Sequence, residues 1–323
     1  MVIVSSSEYD NGVSGGGGNL TETTQHLNAT TTRVTSMTYD FRNRNTTTDG
    51  EVDYFQKLYY DNLDRVIKTE RYDTTILGNL IARSETRFDD LGRVYQSIRY
   101  GVDPSTGTVG NSLTDNTWFD QSGNVIKSLP SGSSLATKTT FDSLGRAVIM
   151  YRGYDLDETS YADAFTVADD VILEQSEATF DAASNAIQTL VRQRYHNAPD
   201  TQTGALQNPS TTPKARVSYS ASWQDGIGRV VATANYGTNG GTALSRPDLV
   251  PEASDTVLVS LASFDAAGNT LESIDPAGMV SRRCRVLFLR SLLRDPCCMA
   301  TRRRRMGPLV PDRSRRTVGT ADE

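Results

Sequence analysis

The sequence predicts an all-β fold: an array of antiparallel β-hairpins laid side by side. Three observations predict it. A six-residue phrase recurs along the chain: an aromatic, Asp, two variable residues, Gly in most copies, then Arg or Asn. β-Branched and aromatic residues flank the phrase on both sides. Only 37% of the 323 residues are apolar and 22% are charged, a composition suited to thin walls with one packed and one wet face. Self-similarity at such spacing marks an array of supersecondary units, although the length alone would allow two or three ordinary domains.

The copies run in order. Tyr39-Asp40-Phe41-Arg42-Asn43-Arg44 is a loose one, and Tyr60-Asp61-Asn62-Leu63-Asp64-Arg65 follows it. Phe88-Asp89-Asp90-Leu91-Gly92-Arg93, Phe119-Asp120-Gln121-Ser122-Gly123-Asn124 and Phe141-Asp142-Ser143-Leu144-Gly145-Arg146 come next. Phe180-Asp181-Ala182-Ala183-Ser184-Asn185 and Phe264-Asp265-Ala266-Ala267-Gly268-Asn269 are later copies. Between them, Gln224-Asp225-Gly226-Ile227-Gly228-Arg229 has its aromatic, Trp223, one place early. Asp followed three residues later by Gly is the signature of a type I turn, with the Asp side chain capping it and Gly accepting positive φ. Such a turn closes a hairpin through a bulge. The strands are the segments on either side, such as Thr137–Thr140 before one turn and Val148–Tyr151 after it, with Val66-Ile67, Val125-Ile126 and Val230-Val231 in the same place elsewhere. The aromatic is expected to pack across its own hairpin and the Arg or Asn to sit at the strand mouth. Asp64 and Ser184 replace the Gly, so those two turns are expected to be the least regular.

Aromatic to aromatic, the copies are 21, 28, 31, 22, 39, 44 and 40 residues apart, with Gln224 standing in for the seventh. Short gaps hold one hairpin; the gaps near 40 require a second, degenerate hairpin or an inserted loop. Asp103–Gly107, Pro199–Gly204, Gly237–Gly241 and Asp275–Gly278 read as turn-rich insertions of that kind. The stretch from Tyr161 to Ala178 mixes helix formers with β-branched residues and reads as one short helix.

The repeated phrase resembles the YD repeat, also called the RHS (rearrangement hotspot) repeat, of large bacterial surface and toxin-related proteins, with relatives in insecticidal toxin complexes and animal teneurins. The resemblance covers about residues 1–280, and Glu8–Gly12 with Gly18–Thr21 reads as a further worn copy. It implies a hairpin ribbon spiralling into a partial shell that encloses polypeptide cargo, with remaining repeats of a longer parent chain, cargo, or cell-surface glycans as partners, and an extracellular or cell-surface location. Some family members free their cargo by an aspartyl-type self-cleavage at the end of the repeats. Asp275-Pro276-Ala277-Gly278-Met279 resembles that element, but turn chemistry alone explains it as an ordinary repeat. No segment closing the shell is recognisable, and the chain is short for a full shell, which suggests a fragment of a longer product.

Residues divide into 1–38, a worn repeat with a Gly/Thr-rich opening; 39–280, the repeat array; and 281–323, a basic tail. The tail holds 12 basic and 4 acidic residues and all three Cys (Cys284, Cys297, Cys298), while the preceding part carries a net charge of −14 against −6 for the whole. Three readings compete for it: a shifted reading frame, a genuine basic tail for anionic surfaces through Arg302–Arg305, or a small cargo domain. Forty-three residues with few core-forming positions predict disorder.

Nothing in the sequence composes an active site or a cofactor site. His26 and His196 lack metal-ligand neighbours. The carboxylates Asp89-Asp90 and Asp169-Asp170 read as turn and loop residues. Asp155-x-Asp157-Glu158 lacks the Gly of a calcium loop. Gly15–Gly18 lacks the Lys of a phosphate loop, and Ser131–Ser134 lacks the spacing of a nucleophile elbow. The acidic balance of the repeats excludes nucleic acid as their ligand. The residues expected to matter are structural, at the turns: Tyr60, Asp61, Phe88, Asp89, Gly92, Arg93, Phe119, Asp120, Gly123, Phe141, Asp142, Gly145, Arg146, Phe180, Asp181, Asp225, Gly228, Arg229, Phe264, Asp265 and Gly268. The expected function is therefore non-enzymatic. The alternative is a carbohydrate- or protein-binding surface using exposed aromatics such as Trp118, Tyr154 or Trp223. The first residues lack a basic, apolar secretory leader, and no segment has the ~20 apolar residues of a membrane span.

Overall fold

The computed structural model describes residues 4–28, 30–50, 54–155 and 161–282. The expectations for the tail, including its disorder and its Cys and Arg clusters, and for Asp157-Glu158 lie outside the described residues. Nineteen strands are described. They are β1 (Ser5–Tyr9), β2 (Leu20–His26), β3 (Thr32–Tyr39), β4 (Asn45–Gly50), β5 (Tyr54–Tyr60), β6 (Val66–Tyr72) and β7 (Leu80–Phe88). There follow β8 (Val94–Val102), β9 (Val109–Phe119), β10 (Val125–Leu129), β11 (Ala136–Phe141), β12 (Ala147–Tyr154) and β13 (Val171–Phe180). The rest are β14 (Ala186–Arg194), β15 (Ala215–Gln224), β16 (Val230–Gly237), β17 (Leu258–Phe264), β18 (Thr270–Ile274) and β19 (Val280–Arg282). The fold is all-β.

Two compact units result, one of residues 1–177 and 192–215 and the other of residues 178–191 and 216 onward. In the first, each strand from β1 to β13 pairs antiparallel with the next, so chain neighbours are sheet neighbours. In the second, β15 to β19 form the same kind of meander. The pairing register slips by one residue where each motif aromatic enters its turn, as at Phe88↔Val94, Phe141↔Ala147 and Gln224↔Val230. That slip is the bulge that a type I turn with a following left-handed residue demands.

Two expectations are corrected here. The stretch from 161 is not a helix of any length: one 3₁₀ turn, Ala162–Phe165, gives way to strand at Val171. The β-branched and apolar run Val171-Ile172-Leu173 outweighs the helix formers once β12 offers a partner edge. Asp103–Gly107 is not an insertion but a hairpin turn joining β8 to β9, closed by Gly107 N–H on the Asp103 carbonyl at 2.8 Å and Asp103 N–H on the Thr108 carbonyl at 3.0 Å. Asp275–Gly278 likewise closes β18 onto β19 with the ordinary repeat-turn bonds. Among the described residues the long gaps hold excursions at 161–170, 195–214 and 238–257, which lie between strands.

These excursions make the only deep cores among the described residues. In the second unit every second residue of β15 is buried, and those between are exposed at Arg216 and half-buried after it. Val217, Tyr219, Ala221 and Trp223 therefore face inward with Ala232, Ala234, Tyr236 and Val259, and Leu244 and Val257 of the excursion pack on them. In the first unit Tyr151, Ile172, Leu206 and Ala215 form a smaller core. Leu206 is tied down by its N–H donating to the Gln175 side-chain oxygen at 2.8 Å. Elsewhere the buried positions mix single apolar side chains, Phe55, Ile98 and Ile126, with polar ones. Glu70 is buried and accepts from the hydroxyls of Tyr59 (2.7 Å) and Tyr72 (2.9 Å). Burial first, then the Glu70 carboxylate, pushes the Tyr72 phenol up to about 12.

Candidate structural site: the turn and its arginine link

The repeated turn is built around one carboxylate. In the copy from Phe88 to Arg93, Gly92 N–H donates to the Asp89 carbonyl at 2.9 Å and Asp89 N–H donates to the Arg93 carbonyl at 2.9 Å. The Asp89 side chain then takes Leu91 N–H (3.0 Å) and Arg93 N–H (2.8 Å) on Oδ1 and Arg93 Nε (2.6 Å) on Oδ2. The pattern repeats at Asp61, Asp142 and Asp225 with Arg65, Arg146 and Arg229. Asn124 and Asn185 give their side-chain amides to Asp120 and Asp181 at 2.8 Å. Asn269 gives its amide to Asp265 at 3.0 Å. Asp is required because only a short carboxylate reaches back to two amides and a side chain at once.

These bonds favour the charged carboxylate. Asp40, Asp61, Asp89, Asp120, Asp142 and Asp225 are all held below the usual carboxylate range. At Asp40 the Arg44 side-chain bond leads; at Asp142 and Asp225 the backbone N–H of Arg146 or Arg229 leads. At Asp61, Asp89 and Asp120 desolvation pulls upward and is outweighed by hydrogen bonds.

The fifth position of the phrase always has positive φ: 80° at Gly92, 91° at Gly123, 74° at Gly145, 83° at Gly228 and Gly268. Asp64 and Ser184, expected to distort their turns, adopt 64° and 66° instead. Ser184 keeps a closing bond of 3.1 Å, inside the range of the Gly copies, so its turn is regular; Asp64 has the longest at 3.3 Å. The Asp64 carboxylate is occupied, accepting from Arg44 Nη1 at 2.9 Å. Gly92→Ala is expected to cost about 1–2 kcal/mol in urea denaturation from the left-handed backbone alone. It should cost more than Gly268→Ala, because a Cβ at 92 meets Arg65 Nη1 at 3.2 Å while one at 268 meets nothing within 4 Å.

The sequence does not reveal where the aromatic and the Arg go next. The ring reaches back to the preceding repeat. Arg44 lies over the Tyr60 ring (4.7 Å), Arg65 over Phe88 (4.3 Å), Arg93 over Phe119 (4.6 Å) and Arg229 over Phe264 (4.9 Å). The same guanidinium bridges to the next turn's backbone: Nη1 of Arg44, Arg93 and Arg229 donates to the carbonyls of Asp61 (2.8 Å), Asp120 (2.9 Å) and Asp265 (2.9 Å). Tyr39 and Tyr60 add a hydroxyl bond to the carbonyls of Leu20 and Asn45, just past the preceding turn. Gln224 makes the equivalent bond to the Ala186 carbonyl at 3.1 Å, which explains a glutamine at the aromatic's place. Phe180 ends β13 and Asp181 opens its turn in the same way. Thus Arg44, Arg93 and Arg229 each fasten their own turn, the next backbone and the next ring, and Arg65 its own turn and the next ring. The fastening is planar, which suits guanidinium and not ammonium.

The aromatics proposed for ligand binding fare differently. Trp223 is buried, not exposed. Trp118 and Tyr154 are half-buried, and Lys127 sits over the Trp118 ring at 4.7 Å. His26 is half-buried and His196 exposed. Among the described residues no group of three or more His, Cys, Asp or Glu stands where it could hold a metal ion, and no helix is long and apolar enough to cross a membrane.

No family model matches the chain, and no curated protein matches it. Solved structures do. The crystal structure of TcdB2-TccC3-Cdc42 aligns with 81% of this chain and 15% of its own, at 12% identity and a TM-score of 0.30. TcdB2-TccC3-TEV aligns with 85% and 16%, at 12% identity and 0.27. The Tc holotoxin pore of Photorhabdus luminescens aligns with 81% and 15%, at 12% identity and 0.27. This chain resembles the YD/RHS repeat. It spans under a fifth of the length of these structures. An overlap so slight carries nothing further, and the YD-type reading stands on the turn phrase and the hairpins described above.

Proposed function

We propose that the chain is a non-enzymatic wall: a piece of a YD/RHS-type shell, exported with its parent protein, whose work is to enclose polypeptide cargo and withstand proteolysis. The observation that supports this most is the turn-to-turn arginine link, which stiffens the ribbon along its length without forming a pocket for chemistry. The turn carboxylates are spent on backbone amides and guanidinium groups, so they are poorly placed for acid–base work. The burial of Trp223 removes one of the three aromatics named for the glycan-binding alternative.

Trypsin tests the reading. Trypsin cuts after Lys and Arg throughout the array, but at Arg44, Arg65, Arg93 and Arg229, at the mouths of the turns, the side chains are engaged. Native digestion followed by mass spectrometry is expected to find these four bonds intact long after bonds elsewhere are cut. Rapid cutting at them would remove the protective-wall reading. Saturable binding of the full chain on a glycan array would replace it with the recognition-module alternative.

A further inference from the structure

We propose that the gap between the turn at 120–124 and the turn at 142–146 is a receptor site for a guanidinium group, taking an arginine side chain of a polypeptide. After Arg44, Arg93 and Arg229 the sixth residue of the phrase fills this gap itself. Arg93 binds its own Asp89, the Asp120 carbonyl and the Phe119 ring together, and Arg44 and Arg229 do the same for the turns that follow them. At Asn124 the side chain is too short. Its amide reaches Asp120 Oδ2 at 2.8 Å and ends there.

What the missing guanidinium would have covered is left in place. Among the described residues no cation stacks on Phe141, and the Asp142 carbonyl accepts only the turn N–H of Gly145, at 3.0 Å. A cavity of 740 Å³ opens at this point, bounded by Asn124, Phe141, Asp142 and Gly145 and, on its other side, by Phe165. The other Asn copies do not make this site. The residue in the aromatic's place is Gln224 after Asn185, and Ile274 after Asn269.

The chemistry selects the ligand. A ring face, a carbonyl oxygen and the Asp120 carboxylate behind them suit a planar cation that stacks and donates in its plane. Lys138 also lines the cavity, but its ammonium is held by the carbonyls of Asp163 (2.9 Å) and Thr166 (2.8 Å) and by Asp170. A guanidinium from a distant part of the chain already stacks on an aromatic in this protein, where Arg246 covers Trp223 at 4.8 Å. The arginine has two possible sources: Arg302–Arg305 of this chain, or another polypeptide.

Thermal unfolding of the full chain with added N-acetylarginine amide or N-acetyllysine amide tests the site, independently of the wall reading. It is run in the wild type and in a variant with Arg302–Arg305 changed to Gln. The arginine amide is expected to raise Tm and the lysine amide to leave it unchanged. If the chain's own arginines fill the site, the Gln variant starts at a lower Tm and responds more strongly; if an outside polypeptide fills it, the two respond alike. Asn124→Arg should raise Tm unaided and abolish the response, and Phe141→Leu should fold with the response lost. Equal effects of the two amides, no response in either background, or an unaltered response in Asn124→Arg would each overturn the proposal.

Discussion

Asp170→Ala is expected to lower the unfolding free energy by about 3–5 kcal/mol in urea denaturation at pH 7, the usual result of stripping one partner from a buried ion pair. Lys138 and Asp170 meet at 2.8 Å with side chains only 7% and 6% exposed. The aspartate anchors the excursion before β13: its N–H donates to the Val167 carbonyl at 3.3 Å, and its own carbonyl accepts from Gly204 N–H at 2.8 Å. Removing the carboxylate leaves an ammonium in a site that already holds a second buried lysine, Lys127. Burial, then the charge of Lys138, pushes the pKa of Lys127 down. The double change Lys138→Met, Asp170→Leu should recover most of the loss, since apolar replacement of a buried pair is often neutral. A loss under about 1 kcal/mol for the single change would show that water reaches the pair.

Acid separates this pair from the turns by sign. The turn aspartates are held below the usual 3.8. The folded state therefore binds their protons less readily than the unfolded chain, and their stabilisation is lost as pH falls below that value. Asp170 is shifted the other way, raised first by desolvation against the pull of Lys138. Its folded form takes the proton more readily, so this one group favours folding more as pH falls from its raised value toward 3.8. Wild type measured against Asp170→Asn should gain relative stability across that window, while both proteins lose absolute stability below about pH 4.

The hairpin array was legible because its signal is local. Asp and Gly three apart, an aromatic before and β-branched residues after fix a turn wherever they occur, and Asp89 and Gly92 show it bond by bond. Contacts between repeats were not legible. Nothing in Arg65 states that Phe88, 23 residues on, will lie beneath it, because that depends on the twist and stagger of successive hairpins. Gln224 is a case of the same kind: the sequence shows a copy whose aromatic, Trp223, stands one place early, and not that Gln224 keeps the backbone bond that the hydroxyl of Tyr60 makes in its own copy. Lys138 gave no signal beyond an inward-phase charge on β11, and its partner lies 32 residues away across an excursion without regular pattern.

Trp223→Ala should cost about 3–5 kcal/mol, the range for emptying a large aromatic site in a core. The ring is 6% exposed, at the centre of the cluster formed by β15, β16 and β17. It also fastens the 238–257 excursion from beneath. Its indole N–H is shared between the carbonyls of Pro247 (3.3 Å) and Asp248 (3.2 Å), while Arg246 covers the ring and donates to the Ser222 carbonyl at 2.8 Å. Trp223→Phe keeps most of the apolar contact and removes only the donor, so its loss should be nearer 1–2 kcal/mol. The two variants also differ locally. With alanine the cover loses its floor, and chymotrypsin should cut after Leu244 early, before the turns of β15 and β16 open. With phenylalanine the ring still supports the guanidinium, and that bond should stay protected. Equal protection of the Leu244–Ser245 bond in both variants would mean that Leu244 and Val257 hold the excursion by themselves and that the tryptophan serves the sheet alone.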